Sequence, residues 1–152
     1  MSEIQHLETF NATAEGNGWP TAVSITDTEW NLKADEIEED GGTNSGPNPM
    51  QYFITALASC QNEQAQLVTE ELGINAGKIN INVAVDLNLD GFMGIDDHSN
   101  NCFKKATLSA EVHGDVTADQ VAELGKRVDN RCPILSVLRS SGCTIVSSWK
   151  QA

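Results

Sequence analysis

Between Lys78 and Asp90 the chain reads KININVAVDLNLD, where Ile79, Ile81, Val83, Val85, Leu87 and Leu89 alternate with Asn80, Asn82, Ala84, Asp86, Asn88 and Asp90. Successive side chains of a strand point to opposite faces, so this segment carries one apolar face and one wet face. Such a strand belongs in an antiparallel sheet covered on one side only. After a glycine-containing loop, GFMGIDDHSNN, alternation returns in KATLSAEVH, with Ala106, Leu108, Ala110 and Val112 on the inner face. We expect the two strands to be neighbours. Aromatic residues make up only 5% of the chain, so whatever covers the apolar face is mostly aliphatic.

The cover is legible upstream, in GPNPMQYFITALASCQNEQAQL, Gly46 to Leu67. Asn48 can cap free backbone N–H groups, and Pro49 suits the first helical position. Met50, Phe53, Ile54, Leu57, Cys60, Ala65, Val68 and Leu72 follow at close to three/four spacing, and Gly73 is a natural stop. The first half of this helix is apolar almost all round, so burial on several sides is expected. A second helix opens at Thr117, where Thr117 and Gln120 form a capping box and Val116 with Val121 a hydrophobic staple. A third begins at Cys132-Pro133, with Cys132 as its cap, and ends at Gly142. CTIVSSW is a last strand. At the front, IQHLETFNATA and TAVSITDTEWNLKA form a hairpin around EGNGWP, and the acidic, glycine-rich stretch Asp35–Asn48 reads as a flexible loop. The fold class is α+β: an antiparallel sheet packed against one long central helix and two shorter ones, in a single domain over residues 1–152.

Charge removes several function classes. A net charge of −13 opposes binding to the phosphates of nucleic acid and docking on anionic membranes. The first residues show neither a basic run nor a long apolar one, and no segment reaches membrane-spanning length, so a cytoplasmic protein is expected. In that reducing compartment Cys60, Cys102, Cys132 and Cys143 are not a standing disulfide framework, and a bridge there is transient and catalytic. His6, His98 and His113 add possible ligands, but no C-x-x-C, H-E-x-x-H or paired histidines appear, and no metal is expected. No G-x-G-x-x-G or phosphate-cradling loop is present, so no cofactor is expected either.

Two cysteines stand out. Cys132, at a helix N-terminus, lies where backbone N–H groups favour an anion. The only three arginines, Arg127, Arg131 and Arg139, cluster around it in sequence. With Lys126 they are expected to reinforce a thiolate there; simple pairing with surface carboxylates is the lesser alternative. Cys60 by itself reads as a buried thiol packing like a small hydrophobe. Cys102 and Cys143, at strand starts, look incidental.

Together, GPNPMQYFITALASC, GFMGIDD and VDNRCPILSVL resemble the OsmC/Ohr family, the osmotically inducible and organic hydroperoxide resistance proteins. The resemblance runs from the N-terminal hairpin to the last strand. It implies an intertwined homodimer and a thiol peroxidase. The thiolate matching Cys60 would attack a peroxide, the thiol matching Cys132 would resolve the sulfenic acid as a disulfide, and an external dithiol would reset the pair. An apolar pocket of Met50, Phe53, Ile54 and Leu57 would suit an organic hydroperoxide or another apolar small molecule.

The chain departs from the family in the activating residues. The family's hydroperoxide reductases use an N-terminal arginine and a glutamate just after the helix-start proline. Here no arginine precedes Arg127, and Met50 and Gln51 follow the proline. Arg131 or Arg139 would have to supply the cation, with Gln51 in support. Failing that, desolvation would hold Cys60 protonated, and the alternative is a non-catalytic ligand-binding or redox-sensing protein on the same fold.

Overall fold

The computed structural model describes residues 7–96, 98, 99 and 101–152. His6 and the first residues of the expected hairpin lie outside them. The described chain divides into two compact units, Met1–Tyr52 and Phe53–Ala152.

The first unit holds an antiparallel three-stranded sheet, β1 (Ala12–Glu15), β2 (Thr21–Ile25) and β3 (Asn31–Ala34), in that order. The expected hairpin is β1–β2, with Ala14 opposite Val23. The segment read as one second strand is itself folded into β2 and β3. Asp27 takes a left-handed φ of 64°, and the Thr28 hydroxyl donates to the Ile25 carbonyl and accepts from the Trp30 N–H. A turn built from Asp and Thr carries no Gly or Pro, which is why the pattern hid it. One face of the sheet collects Ala12, Ala14, Val23, Ile25 and Leu32, and Ile25 and Leu32 each remain 37% exposed.

The acidic loop is not loose. The fully buried Asp35 carboxylate accepts from the Glu36, Thr43 and Ser45 N–H groups and from the Thr43 and Ser45 hydroxyls at 2.6–3.3 Å. A 3-10 turn, Glu38–Asp40, sits inside this ring. At Gly42 a Cβ would collide with the Glu36 carbonyl, so the tight return requires glycine.

Helix α1 (Pro49–Leu72) starts in the first unit and continues through the second. Asn48 Oδ1 accepts from the Gln51 N–H at 2.9 Å while Gln51 Oε1 accepts from the Asn48 N–H at 2.8 Å, a reciprocal cap. Its end is a Schellman motif: the Ile74 N–H reaches the Thr69 carbonyl, and Gly73, at φ 62°, donates to Glu70.

In the second unit β4 (Ile79–Leu87) pairs antiparallel with β5 (Phe103–Val112), as expected. The loop between them contains one helical turn, α2 (Leu89–Phe92). Strand β6 (Thr144–Gln151) then pairs parallel with β5, so this sheet is mixed rather than wholly antiparallel. The cause lies in the connection: α3 (Ala118–Arg131) and α4 (Pro133–Ser140) span the sheet between β5 and β6, and such a crossover returns the chain in the same direction.

Ala106, Leu108, Ala110 and Val112 of β5 are all buried. Ala106, Leu108 and Val112 help form two apolar clusters. One gathers Ala65 and Val68 of α1, Ile79, Val112 and the α3 stripe Val121, Leu124 and Val128. The other gathers Leu57 of α1, Ala106, Leu108, Cys132 and Leu135 and Leu138 of α4. Only one stripe of α1 is buried, Leu57, Gln61, Ala65 and Val68. Burial of its first half on several sides is not met within the chain: Met50 stays exposed, and Phe53 and Ile54 are half-covered.

Candidate thiol site

Cys60 lies midway along α1, on the turn after Leu57. Cys132 ends α3 and caps α4 in one residue, with φ −68° and ψ 113°. Proline at the next position forces that extended backbone, and it turns the Cys132 side chain back over the first turn of α4. There the Cys132 sulfur accepts from the Leu135 N–H at 3.4 Å. The helix end thus aims the second thiol at the first. The two Sγ atoms are 3.0 Å apart, across 72 residues of sequence, and neither is in a disulfide.

The surroundings are apolar. Cys132 is fully buried and Cys60 half-buried. Leu57, Leu108 and Leu135 are buried in the same cluster, and Phe53 stacks on Phe103 with ring centroids 5.0 Å apart beside it. Burial pushes the Cys60 thiol up to about 12, with further contributions from the Cys132 sulfur and the Glu63 carboxylate; the Ile134 N–H, at the start of α4, pulls the other way. A thiolate in a dry pocket loses hydration that one backbone donor does not replace.

The arginines are engaged elsewhere. Arg131 makes two 2.7 Å bonds to the Glu71 carboxylate, Arg139 donates to the Asp129 carbonyl at 2.7 Å, and Arg127 pairs with Glu123. Glu71 is drawn below the usual carboxylate range by Arg131, the mark of a formed pair. Gln51 is occupied as the α1 cap. Of the expected pocket residues, Phe53 and Leu57 stand in the cluster with the sulfurs; Ile54 is half-buried outside it, and Met50 belongs to the first unit. His98 and His113 are exposed, and among the described residues no three His, Cys, Asp or Glu side chains gather as a metal site.

Three features escaped the sequence reading. Gln61 is fully buried on the Leu57–Ala65 stripe, with neither amide atom hydrogen-bonded. Its place one turn after Leu57 was the available signal. Glu63 sits one turn beyond Cys60, where an i, i+3 pair shares a face. The Ile134 N–H followed from the position of the α4 start, once α4 is laid against α1.

Two reduced sulfurs at this separation can close to a disulfide by a shift of about 1 Å, since a bridge has an S–S length of about 2.05 Å. Residues 42–148 match the sequence profile of the OsmC-like proteins. This chain is a member of the OsmC-like protein family. No curated protein sequence matches it. Solved structures similar to this OsmC-like protein include one from Mycoplasma pneumoniae, at a TM-score of 0.81 and 17% identity, with 95% of this chain and 98% of that one covered. An organic hydroperoxide resistance protein OsmC from Legionella pneumophila is similar at 0.74 and 22% identity, with coverage of 95% and 98%. The organic hydroperoxide resistance protein OhrB of Bacillus subtilis is similar at 0.65 and 20%, with coverage of 97% and 100%. These likenesses fix the α+β fold of the OsmC-like chain.

Proposed function

We propose that this OsmC-like protein is a thiol peroxidase that reduces organic hydroperoxides through a Cys60–Cys132 disulfide. The observation that carries the reading is the 3.0 Å separation of the two sulfurs in an apolar site. Structural relatives named for organic hydroperoxide resistance support it. The Cys60 thiolate attacks the terminal peroxide oxygen; an S–O bond forms, the O–O bond breaks and the alcohol leaves after taking a proton. The Cys132 sulfur then attacks the Cys60 sulfenic acid, forming the S–S bond and releasing water. An external dithiol restores both thiols by exchange. Phe53 and Leu57 offer an apolar tail a dry surface.

The working unit in this reading is a cytoplasmic homodimer of one-domain chains. The apolar face of the β1–β3 sheet and the exposed Leu67 on α1 support it, since a second copy would cover surface the chain leaves open. No helix among the described residues is long and apolar enough to cross a membrane.

The test is turnover of cumene hydroperoxide with a dithiol reductant, with intact mass read after one equivalent of peroxide. The parent should turn over and lose two hydrogen atoms per chain, and Cys60→Ser should do neither. Equal background rates in both would end the peroxidase reading. A second reading, a ligand-binding or redox-sensing protein, is favoured by the raised Cys60 thiol and by arginines engaged elsewhere. It is distinguished by an oxygen adduct or disulfide that forms once without turnover. Sedimentation at micromolar concentration checks the dimer; a monomer would remove that part.

A further inference from the structure

The paired sulfurs also define a ligand geometry, independent of any peroxide chemistry. We propose that Cys60 and Cys132 form a two-point binding site for trivalent arsenicals, compounds of the type R–As(OH)2.

The spacing selects the centre. With a metal–sulfur bond of about 2.3 Å, a linear two-coordinate ion holds its sulfurs about 4.6 Å apart. At the same bond length, a pyramidal centre with bonds near a right angle holds them about 3.3 Å apart. The observed 3.0 Å fits the pyramidal case. Donor number points the same way. Tetrahedral zinc takes three or four protein ligands, and among the described residues no third His, Cys, Asp or Glu joins the two thiols in a metal-binding group. A monosubstituted arsenic needs only two sulfurs, because its third bond is already to carbon.

The surroundings suit a neutral, partly apolar ligand. Leu57, Leu135 and the stacked Phe53 and Phe103 share the cluster with the sulfurs, so an aryl group on arsenic has apolar neighbours. Proton balance suits protonated thiols. Each thiol replaces one As–OH bond with an As–S bond, and the thiol proton leaves with the hydroxide as water. Arsenic stays trivalent, and no oxidant or reductant takes part. Binding of a divalent ion would instead release a proton from Cys60, which burial holds protonated. Cys60, half-exposed, takes the first bond, and the buried Cys132 closes the ring.

The experiment titrates the reduced full chain with phenylarsine oxide and follows intact mass and, after unfolding in denaturant, cysteine alkylation against a chain unfolded without the arsenical. One adduct per chain should form, with loss of two water molecules counted from the hydrated arsenical. Protection should fall on Cys60 and Cys132 alone, and a small dithiol should strip the adduct where a monothiol at equal concentration does not. Cys60→Ser and Cys132→Ser should each bind at least about 100-fold more weakly, since the second bond gains from effective concentration, while Cys143→Ser should match the parent. Absence of an adduct, protection at another cysteine, or equal affinity of either single variant would overturn the proposal. The alkylation map of the parent decides even if a variant folds poorly. The result is independent of peroxide turnover, so this site and the peroxidase reading stand or fall separately.

Discussion

At the scale of single residues, Cys60 is held back by its surroundings: an apolar pocket, a second sulfur and the Glu63 carboxylate oppose its charge, and one N–H favours it. A native thiol pKa raised above the unfolded value of about 8.5 stabilises the fold fully below that value, and the contribution is lost as pH rises through about 12. Reactivity has the opposite slope, because the thiolate is the nucleophile. Iodoacetamide should therefore label Cys60 slowly at neutral pH, with a rate still climbing where an ordinary cysteine has levelled off. Glu63→Gln should shift that climb to lower pH. A plateau near the ordinary thiol value would show that the pocket is not what restrains the sulfur. The apolar stripe around Cys60 and the Cys132 cap were legible in neighbouring residues, but the direction of the arginines was not. Arg131 reaches Glu71, 60 residues away, and nothing local in either segment announces that pairing.

At the scale of elements, caps were the most legible feature because they are written in adjacent residues. Thr117 and Gln120 make the expected reciprocal bonds, and Cys132-Pro133 starts α4 as read. Elements shaped by distant partners were not legible. The parallel course of β6 is decided by the crossover, and the order of the Asp35 loop by one carboxylate collecting donors up to ten residues on. Gly125, in the middle of α3, belongs to the same class. A Cβ there would run into the Trp149 ring of β6, so the glycine is a packing requirement between helix and strand. Gly125→Ala sets two effects against each other. Helix propensity gains about 1 kcal/mol, and overpacking costs typically about 1–3 kcal/mol. We expect net destabilisation of about 1 kcal/mol, read as a lower denaturant midpoint. A raised midpoint would mean that Trp149 moves aside freely.

At the scale of the molecule, alternation and helix periodicity carried the α+β class. What they missed is how much apolar surface one chain leaves uncovered. Phe92 at the end of α2 and Met93 and Ile95 after it remain well exposed, as does Trp30 between β2 and β3. Their partners, if in another copy, leave no trace in the order of residues along one chain. The thiol pair has a further consequence at this scale. It joins the central helix to the start of α4 across 72 residues, so a covalent link there would tie β4, β5 and α3 into one closed ring. Loop-closure entropy lost from the unfolded chain would then favour the linked form by about 4 kcal/mol. The chain would melt later after oxidant exposure than before it, a difference that scanning calorimetry of the two forms reads directly; equal melting temperatures would mean that strain in the bridge cancels the gain. Heat resistance would thus record the oxidation history of the molecule.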